Sequence, residues 1–142
     1  MIVRPLPRGL VAPPAHWARV VAMDYADAGW KASLFAAIEP YDRFAVVYSS
    51  WKERGQEISD QVGEAKKRLG PRADDPKTVW IVDKSAPLLE YLKNGAPVIP
   101  SLSGPGKKAQ LISQANELLY TQRLFVVADE CQPFLWEAQR FV

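Results

Sequence analysis

The sequence has one cysteine, Cys131, and one histidine, His16. A single cysteine excludes an internal disulfide and fits a reducing compartment. A single histidine excludes zinc sites built from several Cys and His ligands. With no partner of either kind, His16 reads as a surface or packing residue rather than a metal ligand. Long apolar runs are also missing. None approaches the ~18 residues of a membrane span, and the N-terminus has no apolar core of the roughly 7–15 residues that mark a signal peptide. Excess charge is missing too: 18 basic residues against 16 acidic ones leave a net charge of +2. That is too little to establish nucleic-acid binding, so any such argument rests on local clusters. No G-x-x-x-x-G-K-S/T run occurs, so these residues hold no phosphate-cradling loop of an NTPase motor.

What is present is an ordinary globular composition, 48% hydrophobic and 24% charged over 142 residues, enough for one domain with a sizeable core. Residues 1–18 carry Pro5, Pro7, Pro13 and Pro14 and read as an extended arm or linker. The domain proper runs from 19 to 142. Val20-Val21-Ala22-Met23 is a short, β-branched run that ends on Asp24, and it predicts a buried strand over about 19–24. A loop with Gly29 turns the chain back into a second strand, about 31–39. Pro40-Tyr41-Asp42 is a turn, and Arg43 to Ser50 is a third strand, so the opening reads as an antiparallel meander. Ile58, Val62, Ala65 and Leu69 fall on one face of a helix over 55–69, which Gly70-Pro71 stops. After a polar loop, Thr78-Val79-Trp80-Ile81-Val82 repeats the first pattern and ends on Asp83. A short helix over 87–92, with Ser85 as a candidate cap, leads to a strand over 97–100 that its prolines confine to an edge. A glycine-rich loop, 101–106, feeds a helix over 107–120. A strand over 123–128 and a helix from about Pro133 follow. The order β-β-β-α-β-α-β-α-β-α predicts an α/β mixed sheet with helices on its faces.

The chemistry centres on two strands that each end on an aspartate. If they are neighbours, Asp24 and Asp83 stand side by side, and their repulsion is resolved by a proton or a divalent cation. Hard oxygen ligands select Mg²⁺ or Mn²⁺. Two such ions about 3.5–4 Å apart can clamp the attacking and leaving oxygens of a phosphodiester. The bland alternative is two strand-end aspartates capping loops. Lys84, next to Asp83, either contacts a scissile phosphate or offsets the acid's charge. Lys107 and Lys108, at a helix start after the glycine loop, are candidates for DNA-phosphate contact. Asp27 fits an Asx turn better than an auxiliary ligand. Lys66, Lys67 and Arg68 read as a solvated helix end more readily than as a phosphate site. The tryptophans read as packing rather than base-stacking platforms, and Cys131 as buried packing rather than a nucleophile.

Taken together, these pieces resemble the nuclease domain of the large terminase subunit of tailed bacteriophages, a member of the ribonuclease H-like group. The resemblance is carried by Pro14-Ala-His-Trp17 before the first acidic strand, by Asp24 with Gly29 and Ala32, and by Val79-Trp-Ile-Val-Asp83-Lys-Ser. It continues through Gly106-Lys-Lys108 with the following helix and Leu124-Phe-Val-Val, to Cys131 and Phe134-Leu-Trp-Glu137. It implies a ribonuclease H-like sheet of five main strands, the first three antiparallel, with helices on both faces. It implies a Mg²⁺- or Mn²⁺-dependent endonuclease that cuts concatemeric double-stranded DNA during genome packaging in the host bacterium's cytoplasm. Asp24 and Asp83 would be its metal ligands. The partners it implies are an ATPase motor domain, the small terminase subunit and the portal. The family's third acid lies in a helix beyond the Cys131 segment, and this sequence stops before one, as if truncated. Asp129 and Glu130 stand nearby without a clear claim to the role. Two alternatives remain open: a non-catalytic module of the same fold that binds DNA or the portal, and a DNA-structure-resolving nuclease.

Overall fold

The computed structural model describes residues 13–25, 29–83, 86–100, 124–126 and 131. Six strands form one sheet: β1 (Ala18–Asp24), β2 (Trp30–Ile38), β3 (Ala45–Arg54), β4 (Val79–Val82), β5 (Val98–Pro100) and β6 (Leu124–Val126), in the order β5-β4-β1-β2-β3-β6. β1, β2 and β3 make the expected antiparallel meander, while β4 runs parallel to β1, β5 to β4 and β6 to β3. The sheet is therefore mixed, as the element order requires, with one strand more than the resemblance implied. The three-residue β5, bounded by Pro97 and Pro100, takes an edge, where a missing N–H breaks no ladder.

Alternation along the strands defines the two faces. Val21, Met23, Phe35, Trp80, Val82 and Val98 point to one face and are buried against Val62, Ala65 and Leu69 of α1 (Ile58–Leu69) and Tyr91 of α2 (Leu88–Lys93). Phe35 opposes Ser49 but Ala36 opposes Val47, so Tyr48 is a bulge residue in β3. Below the bulge, Trp17, Ala37 and Val46 form a second cluster, with Phe44 edge-on to Trp17 at 5.6 Å.

The α1 N-terminus is held by Asp60, whose carboxylate accepts the Glu57 N–H at 3.0 Å. The chain then continues as a 3₁₀ turn over Gly70–Asp74, where the sequence suggested only a loop. The basic end of α1 is less solvated than the sequence implied. Arg68 bonds Glu64 at 2.9 Å, Ser49 Oγ at 2.7 Å and the Ser50 carbonyl at 2.9 Å, which ties the helix to β3. Lys66 donates to the Asn94 carbonyl at 3.3 Å, which ties it to the end of α2. Gly95 closes α2 at φ +82°, and a Cβ there would run into the Lys66 ammonium. Gly95→Ala is expected to cost about 1–2 kcal/mol, through the left-handed backbone and the displaced lysine, read as a fall in the urea midpoint.

The remaining elements match their predicted positions to within a few residues. Both described helices pack on the same face. The segments predicted as further helices, 107–120 and from Pro133, lie outside the described residues. So do the arm over 1–12 and Asp27, Lys84, Ser85, Lys107, Lys108, Asp129 and Glu130.

Candidate active site

β1 and β4 are hydrogen-bonded neighbours running in the same direction, with Val21 opposite Trp80 and Met23 opposite Val82. Asp24, the last residue of β1, and Asp83, the first residue after β4, come next, so the two acids occupy neighbouring positions at the carboxyl edge of the sheet. Strand spacing puts their backbones about 4.8 Å apart. Asp24 follows the buried Met23 within β1 and so alternates to the other face of that strand, and both acids are exposed. The carboxyl edge of parallel strands is where open α/β sheets bind ligands. Two carboxylates in adjacent positions repel unless a cation or proton intervenes, and as hard oxygen donors they fit Mg²⁺ or Mn²⁺. Among the described residues no group of three or more His, Cys, Asp or Glu gathers as a metal-binding set.

A buried polar network lies behind Asp24. Gln61 of α1 is fully buried on the apolar face of its helix. Its amide donates to the Asp24 main-chain carbonyl at 3.1 Å and to the Ala32 carbonyl at 2.9 Å. Asp24 and Ala32 oppose each other across β1 and β2, so one side chain bridges both sides of the hairpin mouth. The Tyr91 hydroxyl, from α2, donates to Gln61 Oε1 at 2.6 Å. Sequence reading missed this residue because a glutamine breaks the apolar pattern. The available signal was its position: three residues after Ile58 and beside Val62, it falls within the buried stripe.

Burial pushes the Tyr91 phenol well above its usual range, with Tyr25 and then Asp24 adding to the shift. Folding holds Tyr91 protonated, so its contribution is complete below the ordinary phenol value of about 10 and declines as pH rises beyond it. Urea midpoints measured from about pH 8 to about pH 11 are expected to fall more steeply in the wild type than in Tyr91→Phe, which has no proton to lose.

His16 is exposed. Cys131 is buried, with its thiol 3.5 Å from the Val47 carbonyl, consistent with packing. Trp17 and Trp80 are buried, but Trp30 is 50% exposed at the start of β2. Two surface hollows, one beside Arg19 and Arg72 and one beside Thr78 and Gly95, include neither acid. No described helix is long and apolar enough to cross a membrane.

No protein-family model matches the chain, and neither does any curated protein. Solved structures do. The nuclease domain of the P22 large terminase superposes with a TM-score of 0.66 and 17% identity, covering 89% of this chain and 69% of that one. The large terminase nuclease of thermophilic phage G20c superposes with a TM-score of 0.61 and 17% identity, covering 80% and 60%. The large terminase of another thermophilic bacteriophage gives a TM-score of 0.65 at 14% identity over 81% of this chain. This chain spans only 30% of that protein, which has also been solved with ADP and with ATP-γ-S. At these identities the likeness establishes the fold: a ribonuclease H-like α/β sheet of the kind found in large terminase nuclease domains.

Proposed function

We propose that this chain is a divalent-metal-dependent DNA endonuclease, the nuclease part of a phage packaging terminase, acting on concatemeric double-stranded DNA. The observation that supports this reading is the register of β1 and β4, in which Met23 opposes Val82, the residues just before Asp24 and Asp83. The fold shared with terminase nuclease domains supports it. In this reading Asp24 and Asp83 hold Mg²⁺ or Mn²⁺, and their rigid strand ends fix where the ion sits. Such an ion, when bound, polarises a phosphodiester and activates water. Lys84, Lys107 and Lys108 are proposed to contact DNA phosphates, steering the backbone without reading sequence. An ATPase motor domain, the small subunit and the portal are the proposed partners, in the cytoplasm of a bacterial host.

The test is plasmid nicking by the full chain with Mn²⁺, with Mg²⁺ and with chelator. Metal-dependent nicking supports the reading. Salt-sensitive DNA binding without any nicking favours the non-catalytic module instead. A strong preference for branched over linear DNA favours a structure-resolving nuclease.

A further inference from the structure

Trp30, Lys52 and Arg54 form a ridge on the same sheet face as Asp24. Across the strands, Asp24 opposes Ala32, Ala32 opposes Lys52, and Trp30 opposes Arg54. Register therefore places Asp24, Ala32, Lys52, Trp30 and Arg54 on one face, with the small Ala32 between the acid and the lysine. The Lys52 ammonium lies 5.2 Å from the centre of the Trp30 ring. Trp30 is 50% exposed and Arg54 is exposed. An aromatic ring placed under a lysine restricts a flexible stem and keeps the ammonium in a fixed place. Two strand spacings separate Lys52 from Asp24, about 10 Å. This is about three base-pair rises along a duplex.

We infer that the Trp30–Lys52–Arg54 ridge binds the sugar-phosphate backbone of duplex DNA beside the acidic pair. Lys52 and Arg54 each neutralise a phosphate, and Trp30 holds Lys52 in position. A small net charge is compatible with this, because the positive groups are local to the edge that carries the acids. The inference rests on the endonuclease reading for its choice of ligand, but its test needs no cleavage.

Binding of a labelled duplex of about 20 base pairs by the full chain is measured in chelator, by fluorescence anisotropy, across about 50–200 mM salt. Lys52→Ala and Arg54→Ala are each expected to weaken binding about three- to tenfold. Each should also reduce the slope of log K against log salt by about 0.9, the value for one phosphate contact. Lys52→Arg should keep the slope. Trp30→Ala should weaken binding in the wild type but add nothing to Lys52→Ala, because the ring acts through the lysine. Lys93→Ala, on α2, makes the same change in net charge and should alter neither affinity nor slope. The inference is overturned if the ridge variants keep the wild-type slope, if Lys93→Ala matches them, or if the wild type does not bind duplex. A chain that binds through the ridge but never nicks plasmid keeps this inference and loses the nuclease reading. A chain whose nicking needs Asp24 and Asp83 but whose binding ignores the ridge does the reverse.

Discussion

Replacing Asp24 or Asp83 with asparagine is expected to reduce Mn²⁺-dependent plasmid nicking by at least about a thousandfold, corresponding to about 4 kcal/mol of lost transition-state stabilisation. The substitution keeps shape and removes charge, so it tests the carboxylate rather than the packing. Both side chains are exposed, so neither change opens a cavity, and the fold should survive. If the two acids share an ion, the double variant should be little worse than either single one, because one loss already disables the site. A second measurement separates chemistry from binding. A ligand that binds only the folded chain stabilises it by about 2.7 kcal/mol at a hundred times its dissociation constant. Wild-type protein should therefore show a rise in melting temperature with Mn²⁺, and both variants should lose it. Undiminished cutting by the two variants would remove these residues from the reaction. Unchanged Mn²⁺ stabilisation would remove them from the metal site.

The strands bearing these acids were readable because each is a compact apolar run closed by a charge, a pattern that depends only on neighbouring residues. That Val20–Met23 and Val79–Val82 lie side by side is a different kind of fact. It depends on the chain crossing over through α1, which packs on both strands, and local pattern alone does not fix it. The meander was legible because its connections are short. The bulge at Tyr48 was not, since nothing in the run Ala45–Arg54 marks which residue lacks an opposite number. The buried polar groups were the hardest to foresee. Lys31 and Arg19 carry charges, yet both are buried. The Arg19 guanidinium donates to the Trp17 carbonyl at 2.8 Å and the Pro14 carbonyl at 3.1 Å, and Lys31 donates to the Gln56 carbonyl. Their partners are main-chain carbonyls, which carry no side-chain signature in a sequence. Gln61 shares two such partners, the Asp24 and Ala32 carbonyls.

Gln61→Leu is expected to destabilise the domain by about 3–5 kcal/mol, a large part of the roughly 5–15 kcal/mol that holds a domain of this size together. Leucine fills a similar volume but offers no polar atom. The part-buried Asp24 and Ala32 carbonyls would lose a donor, and the buried Tyr91 hydroxyl would lose its acceptor. Each such loss costs about 1–3 kcal/mol. Tyr91→Phe removes one donor and leaves Gln61 Oε1 unpaired, which should cost only about 1–2 kcal/mol. Pairing the two changes should cost less than their sum, since phenylalanine no longer presents a hydroxyl that leucine fails to satisfy. The network also sets the backbone of the proposed metal ligand. Tyr91→Phe, the milder variant, should therefore retain the fold yet raise the Mn²⁺ concentration needed for half-maximal thermal stabilisation by about 10- to 100-fold, as outer-shell changes do at metal sites. A Gln61→Leu protein within about 1 kcal/mol of wild type would show that the bridge across the hairpin mouth is dispensable. A Tyr91→Phe protein with unaltered Mn²⁺ response would show that the hydroxyl holds the helices together without governing the acid beyond them.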